Sequence, residues 1–159
     1  MEIKVAAGVI IYDPVKQVIL AEHPTGRRWY KKDSKEPETG VMSIPKGVIE
    51  EGEDPVEAAI REIKEETDID LDIKRLHYLK RYDYIKHKRL ELFFYPLKDG
   101  EVKLENCKCN SFFEKNGKKL PEVNGFCFLN IFTEEKKYLF LSQQKIIDQV
   151  IKDYPHFFE

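Results

Sequence analysis

Residues 3–12 are almost continuously apolar and rich in Val and Ile, and Asp13-Pro14 closes the run. An apolar run bounded by a turn signal predicts a strand. Residues 17–22 (Gln-Val-Ile-Leu-Ala-Glu) predict its hairpin partner. Residues 24–42 are polar and rich in Gly, Pro and Lys, which predicts a long loop of the kind that is usually functional or disordered. A helix is expected to start at Asp54. Asp54 is a good N-cap, Pro55 suits the first helical position and Glu57 completes a capping box. Val56, Ala59, Ile60 and Ile63 recur at helical spacing as its buried stripe, and the pattern stops near Thr67-Asp68. Residues 75–85 and 89–97 read as two further strands, and 125–131 as another. Asp99-Gly100 and Asn116-Gly117 are turn signals, and the polar segment 101–121 is a candidate second hairpin. Residues 133–153 read as helical, broken near Leu141-Ser142. Strands mixed with two helical regions imply an α/β layered architecture.

Composition narrows the function classes. The 159 residues are 42% hydrophobic and 35% charged, which suits one compact domain over residues 1–159. The net charge of −2 supplies no basic field, so no nucleic-acid partner is expected. No apolar run reaches membrane-spanning length, so no membrane partner is expected. Met1-Glu2-Ile3-Lys4-Val5 runs straight into a strand-like segment without a signal-peptide layout. Three cysteines are too few and too irregular for a disulfide framework. A cytoplasmic setting is therefore expected, with monomer and dimer both open.

The informative stretch is Arg61-Glu62-Ile63-Lys64-Glu65-Glu66. At about 100° per residue, Glu65 and Glu66 flank Glu62 within a sector of about 100°. Like charges so placed destabilise a helix by roughly 0.2–0.5 kcal/mol per pair. A divalent cation would reverse the sign of that interaction, and Mg²⁺ favours carboxylate and water oxygens beside substrate phosphates. For an isolated Glu-x-x-Glu-Glu, a solvated charged face would be the better reading.

This one is not isolated. Gly47 is followed six residues later by Glu53, and eight residues after that by Arg61-Glu62, then Glu65, Glu66 and Ile69. The pattern resembles the Nudix box: Gly, five residues, Glu, seven residues, Arg-Glu-apolar-x-Glu-Glu-x-Gly-apolar. One position departs, with Asp68 standing where the family has Gly. That residue would sit just past the helix end in a left-handed conformation, which Asp tolerates at a cost of about 1 kcal/mol. Ser43-Ile44-Pro45-Lys46-Gly47, Trp29-Tyr30-Lys31-Lys32-Asp33, Pro121-Glu122-Val123 and Ser142-Gln143-Gln144 resemble segments of one Nudix branch. That branch holds bacterial NTP pyrophosphohydrolases and diadenosine polyphosphate hydrolases.

The resemblance implies a Nudix α/β/α sandwich, with a mixed, mainly antiparallel and partly parallel sheet between helices. It implies Mg²⁺ or Mn²⁺ held by Glu62, Glu65 and Glu66, with Glu122 and the Lys46 carbonyl as further ligands. Glu53 and Arg61 would form a structural ion pair, and Gly47 would let the loop turn tightly. Glu65, Glu66, Glu122 and Lys46 would be catalytic, with Glu66 or Glu122 activating water. Trp29, Lys31, Lys32 and Lys46 are candidates for holding substrate. Tyr82 and Tyr84, on one face of a strand, are candidates for base stacking but more readily packing residues. The implied reaction is hydrolysis of a diphosphate linkage in a small nucleotide: an NTP, a dinucleoside polyphosphate or a nucleotide sugar, with capped RNA less favoured. A non-catalytic Nudix-like nucleotide-binding or interaction domain is the alternative.

Overall fold

The structure is a computed structural model that describes residues 2–159. Its strands are β1 (Lys4–Asp13), β2 (Val18–Pro24), β3 (Lys46–Val48), β4 (His77–Ile85), β5 (Lys88–Pro96), β6 (Phe112–Lys115), β7 (Lys118–Pro121) and β8 (Val123–Asn130). Its helices are α1 (Pro55–Thr67) and α2 (Leu141–Asp153). Among the described residues no helix is long and apolar enough to cross a membrane.

The main sheet runs β4-β5-β1-β2-β8, with β3 also pairing to β1. All pairings are antiparallel except β1 with β5, which is parallel from Lys4↔Lys88 to Tyr12↔Pro96. The other edge of β1 is shared. Ala6, Ala7 and Gly8 pair with β3, whereas Tyr12 and Asp13 pair with β2. The smaller sheet is the β6–β7 hairpin, turned by Asn116 (φ 53°) and Gly117 (φ 76°). Both turn residues take the positive φ that a tight hairpin demands.

Side-chain alternation explains why β1 carries no polar face. Ala6, Ile10 and Tyr12 pack with Leu90, Leu92 and Phe94 under α2, through Ile146, Ile147 and Val150. Ala7, Val9 and Ile11 pack with Phe93 and Tyr95 under α1, through Ala58, Ala59 and Ile63. A strand covered on both faces must be apolar at every position. The result is an α/β/α sandwich with a mainly antiparallel, partly parallel sheet.

The ends of α1 follow from local chemistry. The Asp54 carboxylate accepts the Glu57 N–H at 3.0 Å, and Pro55 occupies the first turn. Asp68 ends the helix in the left-handed region (φ 65°, ψ 17°). The break expected in the C-terminal helical stretch is present, slightly earlier than near Leu141-Ser142. Residues 133–153 divide into a short 3₁₀ helix, Glu134–Tyr138, and α2. The break falls at Leu139-Phe140 because that stretch joins Met42: Leu139 bridges to it and the Phe140 N–H donates to its carbonyl at 2.9 Å. Strand β3 lies inside residues 43–53, where the hydrophobic pattern predicts no strand.

Candidate active site

The acidic face of α1 turns inward. Glu66 is only 6% exposed. Its Oε1 accepts the Lys46 backbone N–H at 3.0 Å. Its carboxyl is also hydrogen-bonded to that of Glu22, a buried residue of β2. Glu62 lies against Gly47: a Cβ there would sit 1.9 Å from the Glu62 carboxyl carbon. Gly47 is paired opposite Ala7 within β3 and does not take a left-handed φ. The expectation that it permits a tight turn is therefore corrected. It is glycine because the Glu62 carboxylate fills the place of a side chain.

Arg61 gathers the surrounding charge. Its Nε and Nη2 donate to the Glu53 carboxylate at 2.7 and 2.8 Å, a bidentate pair. Its Nη1 donates to Glu62 at 2.9 Å and reaches Glu65 at 3.3 Å, and Nη2 also donates to the Val48 carbonyl at 3.1 Å. One side chain thus ties β3, the loop after it and two carboxylates of α1 together. The Arg61 guanidinium and the Glu50 N–H hold the Glu53 carboxyl down to about 2.

Burial dominates the electrostatics deeper in. It pushes the Glu66 carboxyl up to about 7, and the Glu62 charge adds to that. The hydrogen bond from Glu22 and the Lys46 N–H and ammonium oppose the rise. Glu22 is raised well above its ordinary value by burial and by Glu66, so Glu22 carries the proton of the pair. Burial lowers the Lys46 ammonium, against the pull of Glu66 and Glu22. The Lys46 Nζ sits 5.4 Å from the centre of the Tyr84 ring.

This donor set fits a hard divalent cation. The groups are all carboxylate oxygens, and one of them, Glu22 Oε1, is buried without a partner among the described residues. Among the described residues, no three acidic, His or Cys side chains stand in metal-binding array. Arg61 draws Glu62 and Glu65 to itself, and Glu22 engages Glu66.

The NUDIX domain family model matches residues 2–116. The chain belongs to the Nudix hydrolase family. A bacteriophage T4 protein described as an uncharacterized 17.7 kDa protein in the e-segB intergenic region is 32% identical over 131 residues, 78% of this chain and 80% of that one. Nudix hydrolase 2 of Arabidopsis thaliana is 28% identical over 91 residues, 57% of this chain and 30% of the longer plant protein. In fold, the chain is similar to the E. coli dihydroneopterin triphosphate pyrophosphohydrolase, with a TM-score of 0.59 at 17% identity over 96% of this chain and 99% of that one.

Within the Nudix box, Gly47, Glu53, Arg61, Glu62, Glu65 and Glu66 lie together around α1 and β3. Glu122, between β7 and β8, is exposed, and its charge adds to the rise of the Glu62 carboxyl. The loop candidates lie apart. Lys31 pairs with Glu36 of its own loop at 3.0 Å, and Lys32 is exposed. Neither is hydrogen-bonded or ion-paired to a residue of the box among the described residues. Trp29 stacks on the buried His23 ring (centroids 4.1 Å apart, 12° between planes) and packs so closely on Gly125 that a Cβ there would meet it at 2.3 Å. One of its faces is already covered. The residue that sequence reasoning missed is Glu22. A glutamate beside Ala21 in an apolar strand was its signal, because alternation from Leu20 turns it to the α1 face.

Proposed function

We propose that this Nudix protein hydrolyses a diphosphate linkage in a nucleoside di- or polyphosphate, with Mg²⁺ or Mn²⁺ as cofactor. The observation that carries the reading is the burial of Glu66 and Glu22 beside Glu62 at the edge of β3. A merely solvated acidic face would not bury carboxylates (Glu66 is 6% and Glu22 3% exposed) at the cost of burying charge. Glu62, Glu65, Glu66 and Glu122 would hold the cation. When bound, it supplies Lewis-acid polarisation of phosphoryl oxygens and acidifies water.

The chain's own residues supply the rest. Arg61 keeps Glu62 and Glu65 on one side of α1, braced through Glu53. Glu22 limits the positions Glu66 can take. Glu66, with its carboxyl near neutrality, and the exposed Glu122 are the two groups able to accept a proton from the attacking water. Lys46 offsets charge on the leaving phosphate.

The substrate seat lies on the α2 face of the sheet. Alternation along paired strands puts Lys4, Ala6, Lys46, Tyr84 and Lys88 around one groove. Ala6 leaves its floor low. Lys4, Lys46 and Lys88 give it positive charge, and Tyr84 offers a ring. Such a groove suits a polyphosphate and its base.

The test is product release from dinucleoside polyphosphates, nucleoside triphosphates and nucleotide sugars, with and without Mg²⁺. Mg²⁺-dependent turnover is expected, lowered by orders of magnitude in Glu66→Gln, with Lys88→Gln raising KM more than it lowers kcat. No turnover on any substrate, with no binding of metal, would favour a non-catalytic domain instead.

A further inference from the structure

The segment between the 3₁₀ turn Leu104–Asn106 and β6 carries no regular structure, yet it bonds to the backbone of both the end of α1 and Glu122. A helix ends with four carbonyls that lack intrahelical partners. Here the backbone of residues 108–111 meets two of them, while the Lys64 carbonyl already accepts the Asp68 N–H. The Lys108 N–H donates to the Thr67 carbonyl at 3.0 Å, and the Asn110 N–H donates to the Glu65 carbonyl. The Asn110 amide Nδ2 reaches the Lys64 carbonyl at 3.3 Å. One residue on, the Ser111 carbonyl accepts the Glu122 N–H at 2.9 Å, and the Glu122 carbonyl accepts the Thr25 N–H at 3.0 Å. Cys109, buried between them, hydrogen-bonds the same Ser111 carbonyl through its thiol.

Glu65 and Glu122 are far apart in sequence, but two adjacent strap residues hold their backbones. Asp68 adds a side-chain tie to these backbone bonds. Its Oδ1 accepts Asn110 Nδ2 at 2.9 Å, and Lys64 Nζ pairs with it at 3.2 Å. The glycine of the family motif could take the same left-handed backbone but would offer no carboxylate to Asn110.

We propose that Asn110, clamped by Asp68, is a positioning residue that sets the distance between the α1 carboxylates and Glu122, so that one divalent cation can be shared between them. The inference rests on the metal-dependent reading above. It gives the departure at position 68 a use: the chain replaces backbone freedom with a side-chain lock at the end of the metal-binding helix.

The experiment is Mn²⁺ binding to the full chain, followed by the electron paramagnetic resonance signal of free Mn²⁺, with melting temperature recorded in parallel. Partners that orient metal ligands are typically worth at least about 10-fold in affinity. Asn110→Ala and Asp68→Gly are each expected to weaken Mn²⁺ binding by about that factor, and the double variant by no more than either alone. Asp68→Asn, which keeps the acceptor oxygen, is expected to retain wild-type affinity. Glu122→Gln should weaken binding in the wild type and add nothing in Asn110→Ala. Unchanged Mn²⁺ affinity in Asn110→Ala, with only a lower melting temperature, overturns the positioning role while leaving the hydrolase reading intact. So does a Glu122→Gln effect that is absent in the wild type or undiminished in Asn110→Ala. Failure of the wild type itself to bind Mn²⁺ overturns both.

Discussion

A methyl group at Gly47 would fall 1.9 Å from the Glu62 carboxyl carbon, so Gly47→Ala must displace either β3 or Glu62. Overpacking of this kind costs about 1–3 kcal/mol. A ligand displaced by about 1 Å costs about 100-fold in rate. The variant should stay folded in a thermal melt yet lose turnover by at least that factor. Glu66 yields a prediction of opposite sign for stability. Its folded carboxyl titrates near about 7 against an ordinary 4.5, so the folded state keeps a proton that the unfolded chain releases. Its contribution to stability is full below 4.5 and is lost as pH rises through about 7. Metal-free Glu66→Gln should therefore melt higher than wild type at pH 8, and the difference should shrink as pH falls to 5. A lower melting point at pH 8 would count against a buried, strained carboxylate. At this scale the box residues were legible because their spacing is rigid. Glu22 left only the mark of a glutamate in an apolar strand, because its partner Glu66 lies 44 positions away and only the fold of β2 beside α1 joins them. The reason for Gly47 was hidden, since a close approach by another side chain leaves no mark in local sequence.

Helix α1 was legible from both ends, through Asp54, Pro55 and the stripe that buries Ala59 and Ile63. Local hydrogen bonding and amphipathic period agree there, so no tertiary information was needed. Asp54→Ala removes the acceptor for the Glu57 N–H and should cost about 1 kcal/mol by denaturant unfolding. Turnover at saturating metal should fall little, because Arg61 and Glu53 brace the carboxylate end independently. A loss of activity as large as that of Glu66→Gln would mean that the cap itself orders the site. Strand β3 was illegible, and the break expected near Leu141-Ser142 falls slightly earlier, at Leu139-Phe140, for a shared reason. Both are fixed by backbone pairing with distant segments, β1 in one case and Met42 in the other, and neither has a hydrophobic period of its own.

For the molecule as a whole, the packing of α1 and α2 on opposite faces separates two tasks: α1 brings carboxylates to the edge of β3, and the α2 side leaves the lysine groove open. Both depend on one central strand. Mg²⁺ or Mn²⁺ bound only by the folded state should stabilise it by mass action, by about 2.7 kcal/mol at a hundred times Kd, and raise the melting temperature accordingly. The increment should shrink in Glu66→Gln. Equal shifts in both would place the bound ion elsewhere. The parallel pairing of β1 with β5 also governs how the chain is made. At roughly 5–20 residues per second of synthesis, the partner of Lys4–Asp13 follows that strand off the ribosome by several seconds. For that interval the β1–β2 hairpin, the most apolar part of the sheet, has neither β5 nor β8 beside it. The nascent chain is then most exposed to aggregation and to capture by chaperones, before α1 has a sheet to rest on.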